Sequence, residues 1–213
     1  MAWTTLRLSL RLIYRRIGIL LAGNLLWIVA SLTVIGLPAA TGGLFYLVHL
    51  VIKEERDGDV HEAQTGDFWA GMRRYGLRST LLWLLDLATM FILFVTLRFY
   101  LFHPLEVLRW LTGPVLVILF VALAMQLYLF PLLIVSPELS LGSITRRAFI
   151  LVLLEPLETF MMLIWLMLLT ALCIALAGPV LLLLFSALAI IQSLMLRTIR
   201  IDLGEIPASI PED

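Results

Sequence analysis

The sequence predicts an all-α fold: a polytopic membrane helix bundle of six transmembrane helices with short interfacial helices, in a single membrane domain over residues 1–213. Three observations predict it. The composition is 62% hydrophobic and 14% charged with a mean hydropathy of +1.06, far from the roughly 25% charged residues of soluble domains, so the surrounding medium is lipid. Long uncharged runs recur along the chain, and a helix needs roughly 20 apolar residues to cross about 30 Å of hydrocarbon. The basic residues are shared unevenly between alternate loops, which orients the bundle.

The first element is a basic amphipathic segment, residues 3–16, in which Arg7, Arg11 and Arg15 recur at i+4 beside Leu6, Leu10 and Ile13. This pattern predicts an interfacial helix. The apolar stretch that follows is too long for the h-region of a cleaved signal peptide, about 7 to 15 residues, so residues 17–35 are read as a retained first span. Gly36, Leu37 and Pro38 then interrupt the run. Residues 39–52 form the second candidate span, although as a helix they would rise only about 21 Å.

The longest polar segment follows, with a charged turn around Asp57-Gly58 and an amphipathic stretch over residues 67–78. Phe68, Trp69, Met72 and Tyr75 are expected to face the membrane interface there, with the arginines on phosphates. The third span is 79–97, interrupted by Asp86, and the fourth is 111–135. Residues 143–155 begin with a serine cap at Ser143, carry Arg146-Arg147 and stop at Pro156, which predicts a third interfacial helix. The last apolar run divides at Gly178-Pro179 into spans 157–177 and 180–196, because proline lacks a donor and glycine tolerates reversal.

Charge decides whether 39–52 crosses. If it does, one side collects Arg7, Arg11, Arg15, Arg16, Lys53, Arg56, Arg73, Arg74, Arg78, Arg146, Arg147, Arg197 and Arg200, thirteen in all, and the other only Arg98 and Arg109. If it does not, the division is six against nine. Cytoplasmic loops are rich in Lys and Arg, so six spans with both termini cytoplasmic are expected.

The fifteen basic and fifteen acidic residues cancel, leaving no net field to attract nucleic acid. The single cysteine, Cys173, excludes an internal disulfide and a cysteine-based zinc site. His49, His61 and His103 lack metal-ligand spacing, and no nucleophile elbow, P-loop or dinucleotide fingerprint occurs. No cofactor, no metal and no enzymatic activity are therefore expected.

Asp86 is the sharpest chemical signal, because an ionisable group inside a span costs at least ~2.5 kcal/mol unless it is paired or hydrated. Helical spacing groups it with Ser79, Thr89 and Thr96 in a polar stripe. It is either a proton or cation coupling site or substrate acceptor, or a packing residue hydrogen-bonded to Asn24, Gln126 or Gln192. Those amides on different helices either line a cavity with Asp86 or satisfy one another. Residues 36–43 read as a tight extracellular turn, with an interrupted, ion-binding helix as the other reading; Thr41 is placed to cap the new helix start. Gly42 and Gly43, and Ala171 and Ala175, are candidate close-contact positions between helices.

The stretches Asn24-Leu25-Leu26-Trp27, Ser31-Leu32, Ala40-Thr41-Gly42-Gly43-Leu44-Phe45-Tyr46 and Asp67-Phe68-Trp69-Ala70-Gly71-Met72-Arg73-Arg74 resemble the N-terminal half of the YesL-like bacterial membrane proteins. Thr33 stands where that family has its first proline, and Tyr75 where it has asparagine. The family has no established biochemical activity. The resemblance implies a bacterial inner-membrane location and an accessory or assembly role in carbohydrate uptake, with the lipid bilayer and sugar transporter permease subunits as partners. A homo-oligomer is the alternative assembly. The alternative function is a small transporter or channel subunit built around Asp86.

Overall fold

The computed structural model describes residues 2–33, 36–57, 62–175 and 181–206, and every regular element among them is helical. In chain order these are α1 (Ala2–Arg15), α2 (Ile17–Ser31), α3 (Gly36–Asp57), α4 (Thr65–Leu101), α5 (Glu106–Arg109), α6 (Thr112–Val135), α7 (Leu141–Leu154), α8 (Pro156–Ala175) and α9 (Leu181–Asp202). Five stretches are long and apolar enough to cross a membrane, in α3, α4, α5 with α6, α8 and α9, and α1 with α2 forms a sixth candidate bent by 89°. This is the helix set of a multi-pass membrane protein. The Gly178-Pro179 break, Gly58 and His61 lie outside the described residues.

α3 is the hub, packing against α2, α4, α6 and α9. Its most apolar stretch is 56% buried inside the protein, against 6% for that of α4. The core around it consists of Leu44, Leu47, Val48 and Val51 of α3, Leu132 and Leu133 of α6, and Ile190 and Leu194 of α9. The distal half of α4, by contrast, turns Leu84, Leu87, Phe91, Ile92, Phe94 and Val95 outward. In lipid such a surface carries no penalty, because acyl chains are as apolar as the side chains.

Several expected boundaries move, each for a physical reason. Pro38 does not interrupt a helix; it lies in the first turn of α3, where its missing N–H has no intrahelical partner to lose. Residues 36–43 are thus helical rather than a turn, and α3 reaches 22 residues, about 33 Å. The stretches 67–78 and 79–97 are one 37-residue helix, because the change from charged to apolar composition at Arg78 alters the solvent and not the backbone. A reciprocal capping box starts it, with the Gln64 N–H donating to Asp67 Oδ2 at 2.8 Å.

The first turns of α4 do not lie with their aromatic face in the interface. Phe68 and Tyr75 are buried against α3, with Tyr46 and Tyr75 in ring contact at 5.6 Å, while Trp69 is exposed. The contact is built on small residues. A Cβ added to Gly43 would meet the Phe68 carbonyl oxygen at 2.7 Å, and one added to Gly42 would collide with Ser79 Oγ. Ala171 and Ala175, by contrast, are exposed on α8, while Cys173 between them is buried.

α1 turns Thr5, Ser9 and Leu12 inward, with Ile13 partly buried against the core, and leaves Leu10 exposed. α7 is capped by Ser140, whose Oγ accepts the Ser143 N–H at 3.2 Å, one turn before the expected cap. It packs on α6, and its buried residues are Ile144, Ala148, Leu151 and Val152.

Three polar ties cross-link the helices. Arg15 and Arg16 pair with Glu55 and Glu54, joining the start of α2 to the end of α3. The Arg78 guanidinium donates to the carbonyl oxygens of Pro137 and Leu139, joining α4 to the α6–α7 turn. Glu205 pairs with Arg147 and with Arg200, the latter at 3.0 Å, joining α7 to the end of α9. Burial alone would raise the Glu205 carboxyl, but hydrogen bonds and charge from Arg200 and Arg147 outweigh it and hold the group below its ordinary value.

Candidate functional site

Where α3 leaves its ion-paired end behind, the bundle opens into a cavity of about 290 Å³. Five helices line it. Trp27 comes from α2; Leu37, Thr41, Leu44 and Phe45 from α3; Leu82, Trp83 and Asp86 from α4; Gln126, Leu129 and Phe130 from α6; Phe185, Leu188, Ala189 and Gln192 from α9. The stacked rings of Phe45 and Phe130, 5.5 Å apart, bridge α3 and α6 at its floor. In the next turns, Leu47 and Val48 of α3 and Leu132 and Leu133 of α6 are fully buried.

Asp86 reaches the site because α4 continues straight from its contact with α3 at Ser79 and Leu82, and residue 86 returns to that flank four residues on. Its Oδ2 accepts a hydrogen bond from Gln126 Nε2 at 3.0 Å. Of the three amides considered from the sequence, Gln126 is the partner. Gln192 lines the same cavity from α9 without a bond to Asp86.

Asn24 does not join them. It is fully buried, and its Oδ1 accepts the Ser186 N–H at 3.2 Å, while Ser186 Oγ donates to the Leu20 carbonyl at 2.8 Å. This clasp fastens α2 to α9. Thr41 is not a cap either, since α3 starts five residues earlier. Its Oγ1 donates to the Leu37 carbonyl at 2.8 Å and accepts from Trp27 Nε1 at 3.1 Å. That bond, with the stacking of Trp27 on Phe185 at 3.8 Å, sets one wall.

The expected polar stripe of α4 divides. Ser79 is buried against Gly42, whereas Thr89 and Thr96 bond the Leu85 and Ile92 carbonyls of their own helix, both at 2.8 Å. Asp86 is therefore the polar residue of that helix that reaches the cavity. No Lys, Arg or His is among the lining residues.

Sequence reasoning did not single out Trp83, Phe185 or Ser186. Trp83 was within reach, lying three residues before Asp86 and so on its face. Phe185 and Ser186 carry no such signal, because their placement depends on how α9 is rotated against α2. The buried bond between Tyr128 of α6 and Thr159 of α8, 2.7 Å, is of the same kind.

No curated protein and no solved structure matches the chain. Over residues 20–97, which take in most of α2, all of α3 and nearly all of α4, the chain is similar to the family described as "Protein of unknown function, DUF624", and so the match includes Trp27, Thr41, Trp83 and Asp86 of the cavity but neither Gln126 nor Gln192.

Proposed function

We propose that this chain is a non-enzymatic multi-pass protein of the bacterial inner membrane, crossing it six times with both termini in the cytoplasm, and that it is an accessory or assembly component of carbohydrate uptake. The observation that carries the accessory role is the basic end of the bundle. There the ties of Arg15, Arg16, Arg78, Arg147 and Arg200 cross-link helices that carry the basic majority counted in the sequence. Arg11, Arg73, Arg74 and Arg146 remain exposed on α1, α4 and α7 at that end, a surface suited to permease subunits or anionic lipid. The carbohydrate link rests on the YesL-like resemblance.

Purification of a tagged copy from its native membrane in mild detergent, followed by mass spectrometry, tests this reading. Co-purifying sugar permease subunits support it; a homo-oligomer without them counts against it. For topology, a reporter fused after Ile52 should report the cytoplasm, and an external signal there would overturn the six-span arrangement.

The cavity favours a second reading, a small transporter or channel subunit. Reconstituted vesicles should then take up solute faster than empty ones, and Asp86→Asn should abolish the difference.

A further inference from the structure

The cavity has one unmet electrostatic requirement. Asp86 brings a carboxylate with about four acceptor sites into a membrane-embedded space, and among the described residues Gln126 is its one hydrogen-bond partner. An amide donor supplies no compensating charge. Asp86 is half-buried, and a carboxylate drawn even partly out of water without a cation is disfavoured; among the described residues no basic side chain lines the cavity to provide one.

The rest of the lining says which kind of cation fits. A hard metal ion replaces its water with a shell of oxygen ligands. Here Thr41 Oγ1 is already engaged by Trp27 and by the Leu37 carbonyl, so Asp86 and the two glutamine amides are left to coordinate. Aromatic side chains are plentiful instead: Trp27, Phe45, Trp83, Phe130 and Phe185. A carboxylate set among aromatic rings suits an organic cation, whose diffuse charge is attracted by ring faces and whose methyl groups are easily desolvated. The volume, about 290 Å³, equals that of about ten waters at roughly 30 Å³ each, room for a small alkylammonium compound.

We propose that the cavity between α2, α3, α4, α6 and α9 is a binding site for a small organic ammonium cation, with Asp86 as counter-ion, Trp83 and the Trp27–Phe185 pair as apolar walls, and Gln126 as the residue that orients the carboxylate. The proposal deepens the transport reading, since it rests on the same cavity, but it concerns equilibrium binding and is measured apart from flux.

The test uses the full-length protein in lipid nanodiscs, titrated calorimetrically with choline, with its uncharged carbon isostere 3,3-dimethyl-1-butanol, and with sodium chloride. Choline should bind and the isostere should not. Asp86→Asn should weaken choline at least about tenfold, and Trp83→Leu, which leaves the charge in place, should weaken it by a smaller factor. Each variant is first checked for a monodisperse folded state, so that Trp83→Leu carries the test if Asp86→Asn does not fold. Equal affinity for the isostere, binding of sodium without choline, or an Asp86→Asn protein that keeps wild-type affinity would each overturn the proposal. Choline binding without uptake into vesicles removes the transport reading and leaves the site standing; uptake of another solute without choline binding does the reverse.

Discussion

Gly43 of α3 lies against the main-chain carbonyl of Phe68 in α4, so close that an added Cβ would meet that oxygen at 2.7 Å. The obstacle is backbone, which cannot rotate aside as a side chain would. Gly43→Ala should therefore force the two helices apart and destabilise the protein by about 1–3 kcal/mol. Thermal unfolding in detergent measures this, with Gly18→Ala as control, because nothing lies within 4 Å of a Cβ there. An unchanged midpoint for Gly43→Ala would show that the α3–α4 contact is looser than described.

The Asp86–Gln126 bond predicts non-additive mutations. Gln126→Leu leaves the carboxylate without its donor and should cost about 1–3 kcal/mol, whereas Asp86→Leu combined with Gln126→Leu should recover most of that loss. A double-mutant cycle on unfolding free energies measures the coupling. Strictly additive effects would mean that the two groups do not interact.

Arg78 holds the α6–α7 turn through two carbonyl oxygens, a forked arrangement that one ammonium group cannot reproduce. Arg78→Lys, which keeps the charge, should still cost about 1.5–3 kcal/mol of local stability. Amide hydrogen exchange at residues 136–141 should quicken in that variant while exchange in the core of α3 does not. Equal protection in both regions would assign Arg78 a purely electrostatic part.

Acid should loosen the end of α9. The Glu205 carboxyl is held below its ordinary value, so its contribution is fully present above the ordinary carboxylate range and is lost as pH falls through the lowered folded-state value. Protection of the amides in residues 199–203, taken relative to their intrinsic exchange at each pH, should fall toward acid in the wild type. In Glu205→Gln that protection should already be reduced at neutral pH, and its dependence on acid should flatten.

Much of this fold was legible in the sequence because lipid imposes a simple length rule on apolar segments, and α6, α8 and α9 fall close to where that rule puts them. The misplacements have one origin. In a soluble helix the buried face is the apolar face, but α2, α6, α8 and the distal half of α4 are apolar nearly all round, so periodicity does not say which side faces protein. That is why Ala171 and Ala175 were expected at a helix contact and stand in the lipid-facing layer instead. The candidate site was legible to the extent that polarity marked it: Asp86, Gln126, Gln192 and Thr41 converge. Asn24, equally polar, is drawn off by Ser186, and nothing in its spacing from the other polar residues foretells that.

α3 is the least apolar of the five candidate spans and the one most enclosed by protein. Its small residues therefore lack a close-packed neighbour until α4 has arrived to cover Gly42 and Gly43. During synthesis this makes α3 a segment whose residence in the membrane depends on a neighbour still being translated. A chain arrested before α4 would present its central helix unsheathed, a state for membrane proteases to recognise.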